Sequence, residues 1–360
     1  MLLALVVLAL QAAPTDSAEA WLRREMATRN IPGLAVAVIQ GGKVVLERGI
    51  GLASVELQVP VTPATRFQIA STTKIVTATA IMQLVESGKL GLDQPVGSLL
   101  DSLPEPWRAV TPRRLLSHTS GLPDFIADPN TGALIAPTTD SAMALVRRLP
   151  MAFPTGTQWQ YNQTNYFLLG ELIRRLSGLT YPEYFAERFF RPLGMTTAVP
   201  GDSRAVVPGR ATNYTRYEMT PAGPKLLDSL RTLNYVYPQP LMMAAGLNLS
   251  AGDLARFGEA VRTGRLLRPA TRDTMWTAVS LLDGTVPRLG GTLGFGLGWM
   301  VDDDPSGRLV GMEGGAAAAL LVVPGKDLVV AVLTNLQGAG PTELARGVAQ
   351  FFPLARASSR

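Results

Sequence analysis

The chain has 360 residues, of which 47% are hydrophobic and 17% charged, with a formal charge of +5 at neutral pH. That length can bury a large core as two domains or one large one, the composition excludes a disordered chain, and Lys and Arg are scattered without a run longer than a pair, so nucleic acid is not an expected partner. With no cysteine and a single histidine, His118, the chain can form no disulfide, thiolate nucleophile or multi-histidine metal centre.

Met1 to Leu10 form an apolar block followed by Gln11-Ala12-Ala13-Pro14. This reads as a secretory signal over residues 1–17 with small residues at a cleavage point, although no positive charge precedes the apolar core; the alternative is a buried N-terminal segment. The block is too short to anchor in a bilayer, and no later stretch is long and apolar enough to span one. A periplasmic or secreted location is therefore expected, and a cytoplasmic one otherwise. Residues 18–30 read as an amphipathic helix, and Leu34–Ile39 and Lys43–Arg48 as a hairpin turned at Gly41-Gly42. Ile75 to Val85 is apolar most of the way round, so this helix is expected to be buried, ending at Gly88. Residues 111–117 read as a short helix capped by Thr111, and 140–149 as another. Tyr161–Thr164 is a polar break before a helix that stops at Gly178, and Thr180 with Glu183 forms a capping box for the next. Residues 201–240 carry little signal. Ser250–Arg262 is helical, after which Gly294–Val301, Arg308–Met312, Ala316–Val323 and Leu328–Thr334 read as strands, with a solvated turn over Asp302–Gly307. Residues 341–352 close as a helix. The expected organisation is an antiparallel sheet flanked by helices and built from 18–75 and 241–360, with a mainly helical region over 76–240.

The stretch that carries chemistry is Ser71-Thr72-Thr73-Lys74 at the head of the buried helix. Ser71 and Lys74 lie three apart and so share a helix face. A serine hydroxyl needs a base to become a nucleophile, and a desolvated lysine can lose its proton and be that base. The same four residues could also be a helix cap with a solvated lysine. There is no G-x-S-x-G elbow, and His118, among Ser117, Thr119 and Ser120, suits a structural hydrogen bond better than a catalytic triad. Gly294-Phe295-Gly296-Leu297-Gly298 lies in a strand pattern and reads as a bulge or close packing.

Four stretches together resemble the serine β-lactamase and penicillin-binding-protein-like family, in the branch of class C β-lactamases, D-Ala-D-Ala carboxypeptidases and esterases. They are Phe67–Lys74, Leu115–Pro123, Tyr161-Asn162-Gln163 with the helix that follows, and Gly311-Met312-Glu313-Gly314-Gly315. The resemblance runs over about residues 20–352 and implies the α+β fold of β-lactamases and transpeptidases. It further implies a Ser71 acyl-enzyme with Lys74 and Tyr161 as acid and base, and an oxyanion hole from the Ser71 and Gly315 backbone N–H groups. Gln163, Met312 and Gly314 would line the substrate, which is expected to be a small ester, amide or peptide, and no metal or organic cofactor is implied. Two positions depart from the family pattern. Gln163 replaces an asparagine, and Met312 stands where the family has lysine or histidine. Methionine is neither a cation nor a proton donor, which points towards uncharged esters or amides, or towards a weakened protein that binds acyl groups or peptidoglycan fragments as a sensor.

Overall fold

The computed structural model describes residues 13–126, 138–201, 205–220, 223–234, 239–289, 292–304 and 307–353. Most of the expected leader, residues 1–12, lies outside them. From Pro14 the chain is already helix α1 (Pro14–Arg29), four residues earlier than periodicity predicts, because Pro14 and Asp16 in the first turn favour a helix start. β1 (Gly33–Gln40) and β2 (Lys43–Ser54) then form a hairpin. Its turn residues Gly41 and Gly42 have φ of 57° and 79°, a conformation glycine takes without steric cost.

One eight-stranded antiparallel sheet dominates the fold. Its spatial order is β3 (Val59–Pro60), β2, β1, Leu328–Thr334, Ala318–Val323, Gly307–Gly314, Met300–Asp304 and Gly294–Phe295. β1 pairs with Leu328–Thr334 from Leu34 opposite Thr334 to Gln40 opposite Leu328, which joins the two ends of the chain. One face, with Val36, Val38, Val330 and Val332, packs on α1 and the helix Pro341–Gln350. The other face, with Ala35, Ala37, Leu320 and Val329, packs on the remaining helices. Every central strand is thus covered on both sides, which is why Leu328–Thr334 is apolar without alternation. The fold is α+β, as expected.

α2 (Thr73–Glu86) is buried from Thr73 through Met82, as its all-round apolar pattern predicts. α5 (Gln163–Ser177) packs on it, α3 (Pro112–Leu116), capped by Thr111, packs on α5, and α4 (Thr139–Val146) shares the same core. Residues 239–249 cross the head of α2, where the Thr77 hydroxyl donates to Met243 O at 2.7 Å and Leu247 N donates to Thr73 Oγ1 at 3.3 Å.

Two expectations are corrected. Met300–Asp304 is a strand rather than the start of a turn, and Asp302 is nearly buried and paired with Arg346 at 2.6 Å, so it is not solvated. The strand expected over Gly294–Val301 is broken after Phe295; Gly298, at φ 83°, lies against Ala78 of α2 and leaves no room for a β-carbon. Within 201–240, where periodicity gave no signal, Tyr214–Thr220 and Gly223–Thr232 form a separate two-stranded hairpin. Its second strand is largely exposed, so no buried face imposes an alternating pattern there.

Candidate active site

Ser71 sits in a single 3₁₀ turn, Ala70–Thr72, that leads directly into α2. Ala70 adopts φ 45°, a left-handed conformation that costs a residue bearing a β-carbon roughly 1–2 kcal/mol. Strain of this kind persists only where surrounding packing over-determines it. Here the strand Gly307–Gly314 supplies that packing. A β-carbon on Gly314 would stand 2.6 Å from Thr72 N and 2.8 Å from Thr72 Oγ1, and closer still to Ile69 O. The strand end can therefore reach the serine turn only because residue 314 is glycine. Gly315 follows at φ 58°.

Three residues after Ser71, at the head of α2, the Lys74 amine is fully buried. It donates to Gln163 Oε1 at 2.9 Å and to Ala244 O at 3.2 Å, and it lies 3.4 Å from Ser71 Oγ. The rings of Tyr161 and Tyr166 flank it, with centroids at 4.7 and 5.1 Å. Burial pulls the amine down from its ordinary 10.5 to about 7, while the Asp124 carboxylate acts in the opposite direction. Burial pushes the Tyr161 hydroxyl well above its ordinary range; a hydrogen bond with Ser71 lowers it and Asp124 raises it further. Tyr161 therefore keeps its proton at neutral pH.

The loop after α3 is tied to the head of α5 by a series of hydrogen bonds. Asn162 caps α5 by accepting from Asn165 N at 3.0 Å and donates to Leu122 O at 2.6 Å. Ser120 Oγ donates to Asn165 Oδ1 at 2.6 Å, and Phe125 N donates to Thr164 Oγ1 at 3.2 Å. His118 is fully buried, and its Nδ1 accepts from Asn162 N at 3.0 Å. The ring proton therefore belongs on Nε2, and no lone pair is left to act as a base. Burial, and secondarily Lys74, hold this imidazole neutral. Its ring lies 4.4 Å from that of Tyr161, so it backs the tyrosine.

Ser71, Lys74, Tyr161 and Gln163 thus converge on one point, with Gly314 and Gly315 beside the Ser71 turn. Met312 lies two residues before Gly314 but is only 3% exposed. Two groups at the site escape sequence reasoning. The Ala244 carbonyl is a main-chain group and has no residue-type signal. Asp124 reads as an ordinary loop acid after Pro123, yet its carboxylate accepts from Gln163 N and Ile126 N, each at 3.2 Å, and its charge acts on Lys74. Among the described residues no cluster of three or more His, Asp or Glu side chains could hold a metal, and no helix is long and apolar enough to cross a membrane.

Comparison with known proteins bears on the family and the fold. A family model described as Beta-lactamase matches residues 18–351. The chain is 30% identical over 290 residues to Penicillin-binding protein 4* of Bacillus subtilis (strain 168), a match covering 78% of this chain but only 62% of that protein's length. It is 31% identical over 354 residues to Penicillin-binding protein 4 of Amycolatopsis lactamdurans, covering 89% of this chain and 86% of that protein. Among solved structures it resembles the D-amino acid amidase from Ochrobactrum anthropi SV3 at a TM-score of 0.80. That likeness covers 94% of this chain and 99% of the other at 22% identity, and so speaks to the fold alone.

Proposed function

Since the chain belongs to the beta-lactamase family and is a serine hydrolase of that kind, we propose that it works through a Ser71 acyl-enzyme, with Lys74 as the base and Tyr161 as the proton relay. The observation that carries this reading is the set of partners around the Lys74 amine. A neutral amine has two N–H bonds and one lone pair. With the N–H bonds directed at Gln163 Oε1 and Ala244 O, the lone pair is left for the Ser71 hydroxyl. An amine near 7 is neutral often enough at physiological pH to accept that proton.

In the proposed sequence Ser71 Oγ attacks the substrate carbonyl as its proton passes to Lys74. The tetrahedral oxyanion is met by the backbone N–H groups of Ser71 and Gly315; one such donor is typically worth about 2.7–4 kcal/mol. The Lys74 proton returns through the Tyr161 hydroxyl to the leaving alkoxide or amine, and the acyl-enzyme remains. Water then attacks the ester while giving its proton to Lys74 by the same relay, and Ser71 recovers its proton as the acid departs. Tyr161 acts here as a protonated relay, in keeping with its buried hydroxyl.

The substrate class we propose is a small ester or amide without a carboxylate at the position facing the strand Gly307–Gly314. Met312 offers no charge there, and Gln163 lengthens the amide arm by one methylene relative to the family asparagine. A second reading also follows from Met312: a protein that acylates but scarcely turns over, serving as a binder of acyl groups or peptidoglycan fragments. A fluorophosphonate probe followed by a chromogenic acetate ester separates them. Labelling with steady turnover, both lost in Ser71→Ala, is the expected result. Stoichiometric labelling without turnover would favour the binder, and full hydrolysis by Ser71→Ala would sink the mechanism. An exported location belongs to the same proposal, and cell fractionation tests it.

A further inference from the structure

The reaction above creates a problem that Ser71, Lys74 and Tyr161 do not solve between them. When Lys74 takes the serine proton, an ammonium forms on a side chain sealed from water. An unpaired buried cation is costly. Two neutral acceptors and two aromatic faces soften that cost, but none of them carries a charge.

The groups facing Lys74 come from four elements: Asp124 from the loop after Pro123, Tyr161 from the segment before α5, Tyr166 from α5 and His118 from the turn after α3. Among the described residues Asp124 is the only acid whose charge is felt at Lys74. Its carboxylate is held at both ends, Oδ2 by Gln163 N and Oδ1 by Ile126 N. The first of these bonds has a second consequence. The residue whose N–H is held by Asp124 is the same one whose side-chain amide accepts from Lys74. One carboxylate therefore anchors the backbone of Gln163 and faces the amine to which Gln163 binds.

We propose that Asp124 is a positioning residue for the Ser71–Lys74 pair, fixing Gln163 over the amine and serving as the counter-ion of the ammonium formed during acylation. This rests on the serine–lysine reading above. The carboxylate is bonded to the Gln163 and Ile126 backbone and acts on Lys74 through its charge and through Gln163.

The test uses Asp124→Asn, which keeps an acceptor for Gln163 N but removes the charge, alongside Asp124→Glu, which keeps the charge but moves the acceptors. The readout is kcat/KM against pH for a neutral ester, with the rate of fluorophosphonate labelling. In Asp124→Asn the acid limb is expected about one pH unit or more below that of the wild type, because an opposite charge no longer holds the proton on Lys74. The plateau is expected to fall about 10-fold or more, because the ammonium forming in the transition state has lost its partner. Asp124→Glu should keep the acid limb of the wild type while losing rate. A merely structural acid would give slower variants with an unmoved acid limb. If Asp124→Asn superimposes on the wild type, or if Asp124→Glu moves the limb as Asn does, the proposal is overturned. Should Asp124→Asn not fold, Asp124→Ser, which also removes the charge and keeps an acceptor, takes its place, and its acid limb is read by the same criterion. Failure of the serine–lysine reading looks different, since the wild type itself would then not be labelled at Ser71.

Discussion

Replacing Lys74 by methionine separates the stability cost of the base from its catalytic use. In the unfolded chain the amine has its ordinary value of 10.5, and in the fold it stands at about 7. That difference corresponds to about 5 kcal/mol of preference for the neutral form. The group is fully buried, so solvent screening does not reduce it. Burial here depresses a base. Between pH 7 and 10.5 the unfolded chain therefore binds more protons than the folded one, and stability rises with pH across that window. At pH 7 the wild type carries about 4 kcal/mol of this cost, and at pH 9 about 2 kcal/mol. Methionine carries none. It leaves Gln163 Oε1 and Ala244 O without the Lys74 donor, a loss of about 1–3 kcal/mol each, but that loss does not vary with pH. The difference in unfolding free energy between Lys74→Met and wild type should therefore shift by about 2 kcal/mol in favour of the wild type from pH 7 to pH 9, whatever its starting value. Urea denaturation of both proteins at pH 7, 8 and 9 measures this, since groups away from Lys74 titrate in common and the coupled His118 is neutral across that range. Parallel stability curves would refute the claim that Lys74 folds as a depressed base. Turnover should be lost in the variant at every pH.

Other consequences can be checked in the same way. The pH profile of kcat/KM should have its acid limb near 7, from Lys74, and no loss from tyrosine ionisation up to pH 10, because Tyr161 holds its proton; a limb near pH 5 would assign the base elsewhere. Gly314→Ala should cost about 1–3 kcal/mol of stability and slow acylation by about 100-fold, because the new methyl overlaps the backbone of the serine turn; a melting curve and labelling rate equal to wild type would show that the turn can yield. Met312→His should raise kcat/KM for a carboxylate-bearing substrate such as nitrocefin by about 10-fold more than for a neutral ester, through a charge-assisted hydrogen bond. An unchanged preference in a folded variant would show that residue 312 does not face the substrate.

Much of this protein follows from short-range rules. The spacing of Ser71 and Lys74, the all-round apolar surface of α2, the Gly41-Gly42 turn and the caps at Thr111 and Thr180 depend on neighbours within one helical turn or one hairpin, so residue order alone specifies them. The resemblance to the family's motifs likewise brings Tyr161 and Gln163 into consideration. What the order of residues could not supply is the surroundings of the amine. The Ala244 carbonyl is a main-chain acceptor that any residue type would present, and it meets Lys74 only because residues 239–249 are bound across the head of α2. Asp124 and Asp302 both read as loop or turn acids; one faces a buried amine and the other an arginine far along the chain. The pairing of β1 with Leu328–Thr334 is of the same kind, since two apolar strands can pair in many orders and only burial of both sheet faces selects one. Local geometry is encoded by neighbours in the sequence. Desolvation and charge are set by whatever the rest of the fold brings close, and the depression of Lys74 from 10.5 to about 7 exists only once the tertiary structure has closed around it.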